Sequence, residues 1–122
     1  MSHKGSSLAG WTQTRNTIWE NWNLNHLARR PLAYSDDPNS AYQRYTRNLF
    51  QLEQDSIRHY GTGLRQVDDR VSAAVLSALK SASQKARHET DRIARATADV
   101  EKFTAVVNRV TEVVTGFAGV VL

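Results

Sequence analysis

The 122-residue chain has no cysteine, which excludes a disulfide scaffold and a zinc–thiolate centre and leaves the compartment undetermined. Proline occurs only at Pro31 and Pro38. No apolar run reaches the ~18 residues that a membrane span needs. The opening residues 1–7 lack the apolar core of a signal peptide and are expected to be flexible. No long block of one charge sign is present either. Sixteen Lys and Arg stand against 12 Asp and Glu, a net charge of +4, with the two signs interleaved. The strongest bias lies ahead of Asp36, where Lys4, Arg15, Arg29 and Arg30 face Glu20 alone. So mild and spread a charge serves solubility and argues against nucleic-acid binding.

The longest absence runs from Leu64 to Thr115, which holds neither glycine nor proline. Gly61 and Gly63 precede it, and Gly116 and Gly119 follow. Inside it, apolar residues recur every three or four positions: Leu64, Val67, Val71, Val75, Leu79, Ala82, Ala86, Ile93, Ala96, Val100, Phe103, Val107, Val110 and Val114. That spacing keeps one helical stripe apolar and predicts a long amphipathic helix over 64–115. Unbroken, it would be roughly 75–80 Å long, far beyond the ~14 Å radius of gyration of a compact domain this size. It therefore needs a neighbouring helix, from this chain or another copy. Residues 81–92, polar apart from two alanines, are where the stripe thins or a turn would fall.

What precedes is shorter. Residues 8–30 predict a helix capped by Ser6 or Ser7, with Trp11, Ile18, Trp19, Trp22 and His26 gathered to one side. Its asparagines at 16, 21, 23 and 25 compete for backbone hydrogen bonds and weaken that expectation. Pro31 ends the segment and 31–38 reads as a loop. Asp37 as N-cap with Pro38 at the first helical position starts a helix over 39–60. Residues 61–63, Gly-Thr-Gly, predict a bend, and 116–122 an apolar tail.

No group of residues carries a recognisable chemistry. The histidines (His3, His26, His59, His88) lack the i, i+4 partner of a helical metal site, so no metal or other cofactor is expected. Asp36-Asp37 and Asp68-Asp69 are neighbours, which on a helix diverge by about 100° and do not converge on one reacting atom. Gly61-Thr62-Gly63 lacks the lysine of a phosphate loop. An enzyme is the least expected class.

The expectation is an all-α protein, a helical bundle or coiled coil, that assembles or binds a partner helix. Its association seam would be Val71, Val75, Leu79, Ile93, Val100, Phe103, Val107 and Val110, and its second contact surface Trp11, Ile18 and Trp22. Membrane contact through the tryptophans or the tail is the alternative. The helix–Asp37-Pro38–helix layout, followed by Tyr42-Gln43 and Tyr45, also resembles type III secretion needle subunits over a short part of the chain. That resemblance implies a filament subunit, although this chain continues well beyond the layout.

Overall fold

The computed structural model describes residues 3–63 and 70–120. Four helices account for nearly all of them: α1 (His3–Arg29), α2 (Ala41–Gly63), α3 (Ala73–Arg95) and α4 (Val100–Val120). The all-helical class follows from the sequence, but the single C-terminal helix does not survive. It is broken at Ala96–Asp99, outside the polar stretch that had seemed the place for a turn. The Ala96 amide donates to the Arg92 carbonyl and closes α3. Asp99 then opens α4, its carboxylate accepting the Lys102 amide at 3.1 Å. This is an N-cap, and it lets the chain reverse without a glycine or proline.

The other ends are also set by short polar side chains. Ser72 caps α3 by accepting the Val75 amide. Ser40, not Asp37, caps α2, its hydroxyl accepting the Gln43 amide at 3.2 Å. Asp37 and Pro38 form a turn just before it, where the Asp37 carboxylate takes the Asn39 amide. Gly61 and Gly63 do not bend the chain but finish the last turn of α2. α1 starts at His3, so Ser6 and Ser7 lie inside it. Leu64, Val67, Asp68, Asp69 and the last two residues of the tail lie outside the described residues.

Side-chain pairing fixes the topology. Trp11 meets His59, Trp22 meets Glu53 and Asn25 meets Asn48, so α1 and α2 are antiparallel. Thr14–Ser83 and Asn21–Thr90 advance together, so α1 and α3 are parallel. The same holds for α2 and α4, through Asn48–Thr104 and Asp55–Thr111. α3 and α4 run antiparallel, tied by Arg109–Glu89. Each helix has two neighbours, α2 and α3 occupy opposite corners, and α1 reaches α4 across the middle.

The apolar core lies along α4. Val107, Val110, Val113, Val114 and Phe117 cluster with Ile18, Leu52 and Ala86, and a second cluster joins Tyr45, Val100 and Phe103. The neighbouring helix that the stripe required is thus supplied within the chain.

Candidate interaction surface and interior polar network

The proposed seam divides on inspection. Val100, Phe103, Val107 and Val110 are buried, and Leu79 and Ile93 pack onto the same clusters. Val71 is half-buried, whereas Val75 is 43 % exposed because the inner register of α3 runs through Leu76 instead. Most of the seam is therefore packed inside the bundle, covered by helices of the same chain. The second surface divides too. Ile18 is 1 % exposed, and Trp11 and Trp22 are half-buried against the core.

The unexpected feature is how much of the interior is polar. Thr14, Thr17, Asn21, Asn25, Asn48, Asp55, Ser56, His59, Thr62, Ser83 and Thr90 are all buried. Within α1 these side chains turn back onto the preceding turn. Thr14 and Thr17 donate to the carbonyls of Gly10 and Gln13, and Asn21 and Asn25 to those of Thr17 and Asn21. This is how a segment of poor helix formers stays helical with its polar groups inside. Much of the remaining bonding capacity crosses to neighbours as rungs one heptad apart, although Asn21 Oδ1 is buried without a partner. Between α1 and α3 the rungs are Thr14–Ser83 at 3.0 Å and Asn21–Thr90 at 2.9 Å. Between α2 and α4 they are Asn48–Thr104 at 3.1 Å and Asp55–Thr111 at 2.6 Å. Burial pushes the Asp55 carboxyl above its ordinary value, against the hydrogen bonds from Thr111 and Gln51 and the nearby Arg58. Pattern reading of apolar positions could not find these rungs. Their signal was polar residues seven apart: 14 and 21, 48, 55 and 62, 83 and 90, 104 and 111.

At one end of α1, Trp11 and His59 bind each other twice. The indole N–H donates to the His59 carbonyl at 3.0 Å, and His59 Nε2 lies 2.8 Å from the Trp11 carbonyl. Their rings stack with centroids 4.7 Å apart. The indole also lies across Gly63, where a Cβ would collide with it. The glycine noted in the sequence is thus a seat for Trp11.

The outside is lopsided. Eight large apolar side chains are exposed among the described residues, and seven of them (all but Val75) lie in α1, α2 and the turn between them. Phe50, Ile57 and Tyr60 are 63 %, 76 % and 50 % exposed, and their spacing of seven and three puts them on one side of α2. Trp19, 44 % exposed, stands beside that row on α1, between the Trp11–His59 and Trp22–Glu53 contacts. Arg15 lies over the Trp11 ring, and Trp22 stacks on His26 at 5.1 Å. The outer side of the α1–α2 pair thus carries large apolar, mostly aromatic side chains, with the exposed Glu53 and Gln54 set between Phe50 and Ile57.

The α3–α4 half is charged outside. Glu89 turns to Arg109 of α4, and Arg87 is shared between Glu20 of α1 and Asp91. Two open clefts carry no arrangement of reacting groups. One, of about 530 Å³, lies between α1 and α3 beside the Glu20–Arg87 pair. The other, of about 410 Å³, lies between α3 and α4 over Ile93 and Val106. Among the described residues no three His, Asp or Glu side chains gather to hold a metal ion, and no helix is long and apolar enough to cross a membrane. Protein-family models, curated proteins and solved structures were all compared with the chain, and none matches it.

Proposed function

We propose that this is a structural interaction protein that assembles through helix packing, and that its contact surface is the outer face of α1–α2. The carrying observation is the row of Phe50, Ile57, Tyr60 and Trp19, left in water by a bundle whose other large apolar side chains are mostly inside. Contiguous exposed apolar patches on soluble proteins mark contact sites, whereas scattered single residues do not. Aromatic side chains are the usual anchors of such contacts. The reading is of a binding protein, not a catalyst, and a second copy of the chain is its first occupant.

The test is mass in solution by light scattering, for the wild type and for the Phe50→Glu/Ile57→Glu double variant. The expected result is an oligomer that becomes a monomer with unchanged helicity. A wild type that is monomeric throughout, or a double variant that keeps the oligomer, overturns the reading. A head-to-tail contact between this face and a different patch of the next copy would close into a ring or extend into a filament, which electron microscopy distinguishes. Should wild type float with vesicles and the double variant not, the face contacts lipid, the alternative for a surface bearing Trp19, Tyr60 and Arg15.

A further inference from the structure

We propose that α1 is a latch released by protonation of His59, and that its opening uncovers the apolar faces of α2 and α4 beneath it.

The geometry assigns the tautomer. A carbonyl only accepts, so His59 Nε2 donates to the Trp11 carbonyl and carries the ring's hydrogen. Nδ1 is then a bare lone pair, fully enclosed and without a partner. A proton added there makes a buried N–H donor with no acceptor, on a ring whose positive charge has no water. Such a group strongly favours any arrangement that hydrates it.

Among the described residues, the charges around the ring do not rescue it. From α1, Arg15 sits over Trp11 and adds repulsion. From α2, Arg58 is adjacent in sequence, and the Asp55 carboxylate one turn away is already held by Gln51 and Thr111. From α4, the ring meets the edge of Phe117 at 5.6 Å, while Arg109 of that helix pairs with both Glu112 and Glu89. From α3, the Lys80 backbone approaches Gly10 of α1 while the residue itself is exposed. Burial and Arg15 hold the imidazole below its ordinary value, against the Trp11 hydrogen bond, in keeping with this environment.

What yields is α1. Ile18 is its one fully buried large apolar side chain; Trp11 and Trp22 pack half-buried against the core, and Thr14, Thr17, Asn21 and Asn25 complete the inner face with polar groups that water can also satisfy. Trp11 of this helix covers the His59 ring, so its departure is what hydrates the charged imidazole. Beneath it lie Leu52, Val107, Val110, Val114 and Phe117.

Hydrogen exchange of the intact chain, corrected for intrinsic rates, tests this between about pH 7.5 and about pH 5. NMR titration of the His59 ring is followed alongside. Exchange in α1 is expected to accelerate by about tenfold for each pH unit over which the closed state refuses the proton, while α4 keeps its protection. His59→Gln should abolish the pH dependence, and His26→Gln should leave it intact. The proposal is overturned if His59 titrates while α1 protection stays constant. It is also overturned if α3 and α4 open together with α1, or if His59→Gln retains the wild-type pH response. Should that variant fail to fold, the wild-type titration and exchange profiles decide alone.

Discussion

α1 and α4 face each other across the bundle and are held in opposite ways. Nine residues of α4 are buried, seven valines and two phenylalanines. α1 buries Ile18 among Thr14, Thr17, Asn21 and Asn25. Apolar burial is strong and indifferent to direction, at roughly 25 cal/mol per Å². A hydrogen bond inside a protein nets only about 0.5–1.5 kcal/mol but fails sharply when its partner is missing. α4 thus supplies adhesion, and α1 contributes alignment.

Six substitutions break or sharpen that contrast. Phe117→Ala in α4 is expected to have the largest effect, a loss of about 3–5 kcal/mol, seen as a large fall in the urea midpoint. Thr90→Val leaves the Asn21 amide without its α3 acceptor and should cost about 1–3 kcal/mol. Adding Asn21→Leu should recover much of that loss, because an apolar pair replaces the rung. A double-mutant cycle that comes out additive would show that the rung carries no coupling. Titration distinguishes two further buried groups. His59 is held below its ordinary 6.5, so as pH falls through that value the unfolded chain takes the proton first and stability declines. Asp55 is held above its ordinary 3.8, so lower in the acid range the native state takes the proton first and stability is regained. Urea unfolding across pH should show both limbs, with His59→Gln removing the upper and Asp55→Asn the lower. Ile57→Glu, on the outer face, should change stability by no more than about 0.5 kcal/mol while altering mass in solution.

The sequence displayed the half of this contrast that apolar periodicity can express. Val100, Phe103, Val107 and Val110 stand at helical spacing and are buried as that spacing requires. The break at Ala96–Asp99 was hidden because Ile93, Ala96 and Val100 keep helical phase across it, so the stripe looked continuous through a reversal. Asp99 was the available clue, an N-cap residue just ahead of the last apolar run. On α3 a one-residue error in register put Val75 inward, where Leu76 belongs. α1 was harder, since its buried face is written in residues that ordinarily mark a surface. Only their recurrence at seven, matched on a second helix, tells an internal rung from a solvated edge. The outer face of α1–α2 was illegible for the complementary reason. Phe50, Ile57 and Tyr60 are apolar and helically spaced, and spacing alone does not say which of two stripes faces inward.

The α1–α3 rungs join residues 69 positions apart. During synthesis α1 is finished long before the helix that completes it exists. An apolar inner face would spend that interval seeking other apolar surfaces, the usual beginning of aggregation. Threonines and asparagines bonded to their own backbone are content in water. α4, the greasiest helix, follows its partners out of the ribosome and meets them already made. The helix with the most apolar buried face is thus the last one made, and the buried threonines and asparagines of α1 are in place before it.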